Sequence, residues 1–155
     1  MTFQALPFKH SFFTGKRTSA GCSIFKGTDK DDQIVTTPKN NVINGWVGND
    51  TIKAGAGDDV VFGGKGNDVL YGGEGDDIIN GGAGNDTLFG GSGADTFFIN
   101  QGQSIIEDFD FTEGDSLKFG RRLTNIRYEQ DGDNVLVQSN RGTTIILNND
   151  INDFI

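Results

Sequence analysis

The stretch Gly63-Gly64-Lys65-Gly66-Asn67-Asp68-Val69-Leu70-Tyr71 decides the fold, because it is one of eight nine-residue segments that follow one another from 27 to 98. The next three copies are GGEGDDIIN, GGAGNDTLF and GGSGADTFF, and the two before it are GWVGNDTIK and AGAGDDVVF. GTDKDDQIV and TTPKNNVIN, the first two copies, are less regular. A short, fixed period of this kind is typical of a solenoid.

Two columns of the repeat determine its structure. The sixth is acidic in all copies but one: Asp32, Asn41, Asp50, Asp59, Asp68, Asp77, Asp86 and Asp95. The eighth is apolar: Ile34, Ile43, Ile52, Val61, Leu70, Ile79, Leu88 and Phe97. One apolar residue in nine is too sparse for a helix face, and glycine pairs disfavour helix interiors. We therefore predict turns alternating with short strands over the last three residues of each unit, the eighth side chain pointing inward.

The aspartates indicate a metal site. Carboxylates stacked at about 5 Å repel one another by several kcal/mol at intermediate dielectric, and glycine-rich turns leave backbone carbonyls without ladder partners. Together they form an all-oxygen environment, which suits Ca²⁺ better than Mg²⁺. The alternative is that the Gly-Asn and Gly-Asp pairs are only tight turns. Six consecutive copies in register disfavour that interpretation.

At these residues the chain resembles the RTX, or repeats-in-toxin, family of calcium-binding proteins, whose signature is this nonapeptide. The resemblance implies an all-β fold, a right-handed parallel β-roll in which two repeats make one coil. It also implies that each Ca²⁺ lies between turns two units apart, on one of two edges. Its ligands are the two Asp side chains, the carbonyls of residues two and four of the first turn, and those of residues one and three of the next.

On this chain the resemblance implies four well-formed sites, between Asp50 and Asp68, Asp59 and Asp77, Asp68 and Asp86, and Asp77 and Asp95. The carbonyl ligands would come from Trp46, Gly48, Gly63 and Lys65; Gly55, Gly57, Gly72 and Glu74; Gly64, Gly66, Gly81 and Ala83; and Gly73, Gly75, Gly90 and Ser92, respectively.

The remaining positions depart from the pattern. A site between Asp32 and Asp50 would be weaker, because Thr28 and Lys30 replace the family glycines. We expect none between Asn41 and Asp59, where Pro38 also lies in the turn. After the repeats, Asp108 and Asp115 are candidate ligands for the open edge at Asp95. About four to six ions are therefore expected.

Composition agrees with a calcium-dependent fold. The 155 residues fit one domain, and the net charge of −9 argues against a nucleic-acid partner. Only 34% of the residues are hydrophobic, so metal binding would supply much of the folding free energy. The single Cys22 excludes an internal disulfide framework. The lone His10 leaves no nucleophile–His–acid set and no catalytic zinc motif, so we do not expect an enzyme.

The segments on either side of the repeats are expected to cap the ends of the roll. The chain would then consist of an N-terminal cap at 1–26, the β-roll at 27–98 and a C-terminal β cap at 99–155. The aromatic N-terminal segment could instead bind a partner, although an end cap is what solenoids need. Strands are predicted at 126–128, 135–138 and 144–147, joined as an antiparallel meander by turns at 131–133 and 140–142. Asp131 and Asp133 could bind metal, but a hairpin turn is the preferred interpretation.

Two classes of function follow. The first is a secreted, extracellular calcium-binding module with a structural, adhesive or export-assisting role. The second is a polysaccharide-binding appendage of an enzyme such as an alginate epimerase. No N-terminal signal peptide or membrane span is predicted. The terminal Asn152-Asp153-Phe154-Ile155 resembles the C-terminal secretion signal of RTX proteins, which implies a type I ABC exporter as the partner during secretion.

The secretion signal can be tested by deletion. Removing residues 152–155 should reduce secretion through a type I exporter. Calcium binding by the repeats should be largely retained, because the secretion signal and the metal sites are separate in the sequence. Secretion and calcium binding are measured on the truncated and full chains in parallel. Undiminished secretion of the truncated chain would remove the signal assignment and leave the β-roll untouched.

Overall fold

A computed structural model describes residues 16–17 and 22–147, and these form an all-β parallel solenoid. Its strands alternate between two sheets. The first sheet has the order β1 (Lys16–Arg17), β2 (Ser23–Lys26), β4 (Asn41–Val47), β6 (Val60–Lys65), β8 (Ile78–Ala83), β10 (Thr96–Ile99) and β12 (Ser116–Phe119). The second has the order β13 (Arg127–Asp131), β14 (Asn134–Ser139), β15 (Gly142–Ile146), β11 (Gly102–Ile106), β9 (Thr87–Ser92), β7 (Val69–Glu74), β5 (Thr51–Ala56) and β3 (Gln33–Val35).

Equivalent residues of alternate repeats pair side by side. In the first sheet Ile43 pairs with Val61 and Val61 with Ile79, and in the second Ile52 pairs with Leu70 and Leu70 with Leu88. Partners are thus two repeats apart, which confirms the predicted parallel β-roll with two repeats in each coil. Because every coil repeats the same register, each column of the sequence becomes a straight row along the roll.

The core is a row of eighth-column side chains from each sheet. All eight are buried, with exposed fractions of 2% or less. This confirms the inward direction predicted for the column. The first column is buried as well from the third repeat onward, as Ala54 shows at 0% exposure, because it follows the eighth residue by two positions and so faces the same side of the strand.

The strands are longer than the predicted three residues. From β5 to β9 each has six, and includes the three residues at the start of the next repeat, as in Val69–Glu74. The glycine there is required by close backbone contact: Gly73 has φ +129°, and a Cβ on it would lie 1.7 Å from the carbonyl oxygen of Gly55. Only glycine allows both features.

A second ladder of side chains lies on the outside of the turns. Asn67 Oδ1 accepts a hydrogen bond from the backbone N–H of Asn85 at 2.8 Å, and Asn49 Oδ1 accepts one from Asn67 at 2.8 Å. On the opposite edge Asp58 Oδ1 accepts one from the N–H of Asp76 at 3.2 Å. These fifth-column contacts satisfy backbone donors that the strands cannot reach.

The parallel stacking continues past the last repeat. Strand β11 pairs with β9 and β12 pairs with β10, both in parallel. The three predicted C-terminal strands are present as β13, β14 and β15 and form the predicted antiparallel meander. However, β15 also pairs in parallel with β11, so the meander extends the second sheet instead of lying over its end.

At the other end, β2 pairs in parallel with β4, so the first sheet begins upstream of the first repeat. The proposed N-terminal cap, except for 16–17 and 22–26, and the proposed secretion signal lie outside the described residues. In the described part of the chain, no helix has the length and apolar character needed to span a membrane.

Candidate metal centres

The sixth-column aspartates form two stacked ladders, one on each edge of the roll. The Oδ1 atom of each accepts a hydrogen bond from the backbone N–H of the sixth residue two repeats earlier. The accepting residues and distances are Asp50 2.8 Å, Asp68 2.8 Å and Asp86 3.0 Å on one edge, and Asp59 2.6 Å, Asp77 2.7 Å and Asp95 2.8 Å on the other. Every carboxylate is therefore fixed against the next.

The second carboxylate oxygen of these residues has no partner. The Oδ2 atoms of Asp50, Asp59, Asp68, Asp77, Asp86 and Asp95 are buried and accept no hydrogen bond. Each of the six residues is at most 2% exposed. Buried polar atoms are almost always paired, and a buried, unpaired carboxylate oxygen is costly. The ladders thus contain a row of oxygen atoms that requires donors or cations.

A carbonyl oxygen lies beside the unpaired carboxylate oxygen of Asp50, Asp68 and Asp77. A Cβ on Gly63 would lie 2.3 Å from Asp68 Oδ2 and 2.5 Å from the carbonyl oxygen of Gly81. A Cβ on Gly45 would lie 2.3 Å from Asp50 Oδ2 and 2.5 Å from the carbonyl oxygen of Gly63. The glycine therefore leaves room between an Asp and the first-column carbonyl of the turn two repeats later. This is the pair of ligands that the resemblance implies.

The resemblance also implies carbonyl ligands from the second, third and fourth columns, and the backbone of the second and fourth columns is in the left-handed region. The second- and fourth-column residues have positive φ: Trp46, Gly48, Gly55, Gly57, Gly64, Gly66, Gly73 and Gly75. The third-column carbonyls accept hydrogen bonds from the turn two repeats earlier. The carbonyl oxygen of Lys65 accepts the N–H of Gly48 at 2.9 Å, and that of Glu74 accepts the N–H of Gly57 at 2.7 Å. A carbonyl oxygen has a second lone pair for a cation.

The electrostatics of the ladders favour protonation when no cation is present. Burial raises the pKa of Asp68 to about 7, and the neighbouring carboxylates of Asp86 and Asp50 add to the shift. Burial likewise raises the pKa of Asp77 to about 7, with repulsion from Asp95 and Asp59. These carboxylates are therefore poor anions alone and good ligands for a cation that removes their repulsion.

The turn that lacks the aspartate shows which oxygens require a partner. Asn41 Nδ2 donates to the carbonyl oxygens of Thr37, at 3.0 Å, and of Lys39. These are the second- and fourth-column carbonyls of that turn. The Thr36 hydroxyl donates to the carbonyl oxygen of Ala54, which is the first-column carbonyl two repeats later. The Asn41 amide and the Thr36 hydroxyl thus contact three carbonyls that the resemblance would assign to a cation, while Asn41 Oδ1 is buried without a partner.

The first turn is also closed by protein donors. Asp32 Oδ2 accepts hydrogen bonds from the Thr28 N–H at 2.6 Å and from the Thr28 hydroxyl at 2.9 Å. This carboxylate oxygen is the one that remains unpaired in the regular turns. The expectation that a site between Asp32 and Asp50 is weaker has a physical basis, since a cation there would compete with Thr28.

The two acidic residues after the repeats occupy different positions. Asp115 continues one ladder, because its Oδ1 accepts the N–H of Asp95 at 2.8 Å, but its Oδ2 accepts the N–H of Asp110 at 2.9 Å. Asp108 contacts the turn of Asp95 from outside, accepting the N–H groups of Gly90 at 2.8 Å and Gly91 at 3.0 Å. Both contact the turn of Asp95, and their oxygens accept hydrogen bonds from backbone donors. Their role as calcium ligands stays a prediction.

No cluster of three or more His, Cys, Asp or Glu side chains is placed to hold a metal within the described residues. A cation between two stacked turns would therefore take most of its ligands from backbone carbonyls. Ca²⁺ accepts six to eight oxygens and tolerates irregular geometry, so two carboxylates with four carbonyls fit it well. The hydrogen bonds of the Asn41 amide and of the Asp110 N–H were not predictable from the sequence, because both depend on the direction of the backbone in the turn.

Comparisons with known proteins agree with this geometry. The RTX calcium-binding nonapeptide repeat model matches four times, at residues 26–61, 47–79, 62–97 and 71–105, and these matches together span more than half of the chain. No curated protein matches the sequence.

Two solved structures are similar. The crystal structure of extracellular lipase LipA from Serratia marcescens is 14% identical with a TM-score of 0.42, covering 88% of this chain and 39% of the lipase. The solution structure of the AlgE6R3 subunit from the Azotobacter vinelandii mannuronan C5-epimerase is 22% identical with a TM-score of 0.43, covering 78% of this chain and 72% of that subunit. The chain thus spans about two fifths of the lipase. Because the repeat model accounts for most of the roll, this chain belongs to the family of RTX calcium-binding nonapeptide repeat proteins.

Proposed function

We propose that this chain is a secreted module that folds when several Ca²⁺ ions bind between its stacked turns. The observation that carries the proposal is the set of six buried Oδ2 atoms without a hydrogen-bond partner. Five of them lie beside a first-column glycine, and those of Asp50, Asp68 and Asp77 also have a first-column carbonyl close by. A cation there satisfies both oxygens and removes the repulsion along the ladder.

The four sites of the regular turns share their aspartates. Asp68 belongs to the sites toward Asp50 and toward Asp86, and Asp77 to those toward Asp59 and toward Asp95. Asp108 and Asp115 are proposed as further ligands at the end of the Asp95 edge, and Asp32 as a weak one. Filling one site fixes a carboxylate for the next, so we expect binding along each edge to be cooperative.

Calcium would act as the main stabilising term because the core is thin. Two rows of buried side chains with glycine turns bury little apolar area per residue, so ordering the backbone is poorly compensated. Binding free energy is then folding free energy. Inside a cell, where free calcium is low, such a chain stays unfolded and suits passage through an exporter, whereas outside it folds. Folding only outside the cell supports an export-assisting or structural role. The role would be adhesive if the folded surface binds a partner.

A polysaccharide-binding role is the second candidate, and one observation favours it. On the outer face of the second sheet, the rings of Tyr71 and Phe89 stack with centroids 4.5 Å apart and an angle of 8° between planes, and Lys53 Nζ lies 5.3 Å from the Tyr71 ring centroid. Both aromatic side chains are half-buried. A row of aromatic side chains with a cation beside it on an outer sheet face is the kind of surface that a glycan-binding role predicts.

Folding should depend on calcium. In chelator the full chain is expected to show the circular dichroism of a disordered polypeptide, because the stacked aspartate carboxylates repel one another without a cation. In millimolar Ca²⁺ it should show β-structure, reached through a cooperative transition. Mg²⁺ at the same concentration serves as the control, since it retains its waters and should not restore the spectrum. Identical folded spectra in chelator and in calcium would contradict the proposal.

The position of an aspartate along the ladder should determine its effect. Asp68→Ala is expected to disrupt both flanking sites, whereas Asp32→Ala touches one site that Thr28 already closes. Each site lost removes about 2.7 kcal/mol at a calcium concentration one hundred times Kd. Calorimetric titration gives the bound calcium, and denaturation in calcium gives the stability. Equal losses in the two variants would argue against edge stacking.

The reciprocal change tests the closed turn. Asn41→Asp removes the amide that donates to Thr37 and Lys39 and supplies a carboxylate in its place. The variant should therefore bind additional calcium, and should be less stable than the wild type at low calcium, because the carbonyls lose their donor. Asn40→Asp, one residue away on the exposed side of the turn, is the matched control. Unchanged calcium stoichiometry in Asn41→Asp would show that Pro38 keeps the turn closed.

Acid should have opposite effects with and without calcium. The folded ladder has raised pKa values, about 7 for Asp68 and Asp77 against 3.8 for the ordinary side chain. Between pH 3.8 and about 7, the folded chain without metal therefore binds more protons than the unfolded chain. Its stability is greatest below pH 3.8 and is lost as the pH rises through 7. Calcium affinity falls on acidification, because protons compete. Circular dichroism from pH 4 to 7.5 in chelator and in calcium measures both, and parallel pH profiles would contradict the ladder electrostatics.

A further inference from the structure

A cleft with a volume of about 440 Å³ lies where the end of the roll meets the C-terminal strands. Its walls come from β8, from the segments that follow β10 and β12, and from the turn between β14 and β15. Three arginines line it, Arg121, Arg122 and Arg141, together with the carboxamides of Asn80, Asn100 and Gln101. Its size is within the range of small-ligand sites, roughly 300–1,000 Å³.

The charge of the cleft is opposite to that of the chain. The protein has a net charge of −9 and only 13 lysines and arginines, yet three of them face one cavity. None of the described residues that line the cleft is acidic. Within the described residues none of the three guanidinium groups forms an ion pair, and Arg141 Nη1 donates instead to Gln101 Oε1 at 3.0 Å. Each guanidinium has five donors, so most of them remain available.

The cleft is held by backbone contacts on both sides of the arginines. The Leu123 N–H donates to the carbonyl oxygen of Gly120 at 2.9 Å, which closes the turn that presents Arg121 and Arg122. The Thr124 N–H donates to Asn140 Oδ1 at 2.9 Å, and the Asn140 N–H donates to the carbonyl oxygen of Thr124 at 3.1 Å. These bonds join the arginine turn to the turn of Arg141, so the three side chains are brought together by fixed backbone.

The amides provide a second kind of recognition. Asn100 Nδ2 donates to Asn80 Oδ1 at 2.6 Å, which orients both side chains. The other polar atom of each amide, Asn100 Oδ1 and Asn80 Nδ2, has no partner among the described residues. One is an acceptor and the other a donor, which is the pair that a hydroxyl group needs.

We propose that this cleft binds a small acidic, hydroxylated ligand of the sugar-acid class, with the arginines holding its oxyanion and the asparagines its hydroxyl groups. Guanidinium groups bind carboxylate in paired hydrogen bonds, which gives direction as well as affinity. The proposal rests on the calcium-folded roll, because Gly64 and Ala83 line the cleft and are also proposed carbonyl ligands of the site between Asp68 and Asp86.

The test uses the full chain in saturating Ca²⁺ with potassium glucuronate as the probe, and glucose and potassium sulfate for comparison. Calorimetric titration should show saturable binding of glucuronate, weaker binding of sulfate and none of glucose. Replacing Arg121 and Arg122 by glutamine should weaken glucuronate binding at least about tenfold, the effect expected for lost charged hydrogen bonds. Arg127→Gln, at an exposed arginine of β13 that does not line the cleft, is the control for loss of positive charge elsewhere on the surface.

The possible results separate the two proposals. Circular dichroism in calcium shows first whether the chain and its variants are folded; a chain without β-structure would overturn the calcium proposal and the cleft with it. A folded chain that does not bind glucuronate, or that loses equal affinity in Arg127→Gln and in the double variant, would overturn the cleft alone. Sulfate binding as tight as that of glucuronate would overturn the sugar-acid assignment.

Discussion

The hydrogen bond from one ladder residue to the carboxylate two repeats later is the contact on which the rest of the structure depends. It uses one oxygen of each aspartate to fix the spacing of the turns and leaves the other oxygen buried and unpaired. The stacking that builds the roll therefore also creates its electrostatic cost. A divalent cation can satisfy a carboxylate and a carbonyl together, which is why we propose that folding depends on metal binding.

The apolar core is too small to offset the burial of these unpaired carboxylate oxygens alone. Each coil contributes two apolar side chains and the first-column positions beside them, and the remaining positions are turns and outward-facing residues. A globular domain of this length would enclose several layers of side chains, but the roll encloses one. Its cohesion along the axis comes from backbone pairing, from the fifth-column ladder and from ions between turns. Contacts are thus made between adjacent coils, the behaviour of a one-dimensional structure.

Much of this was predictable from sequence because the period is strict. The nonapeptide predicts the parallel roll, the burial of the eighth column and the two edges of aspartates, and the structure confirms each of these. The three C-terminal strands were also predictable from alternating apolar residues and turn signals. The parallel pairing of β15 with β11 was not, because it depends on where the chain returns in space. The departure at Asn41 is visible in the pattern, but the hydrogen bonds of its amide to Thr37 and Lys39 are not, because they depend on the direction of the backbone in the turn.

A solenoid has no natural length, since any coil can receive another. In this chain the first two turns have the shape of the others but contain donors of their own: the Asn41 amide donates to two carbonyl oxygens of its turn, and Thr28 donates to Asp32 Oδ2. If calcium binds between the regular turns as proposed, turns of this kind would let the backbone keep stacking while the column of cations stops. A few side chains would then set how many ions bind, independently of how far the sheets extend.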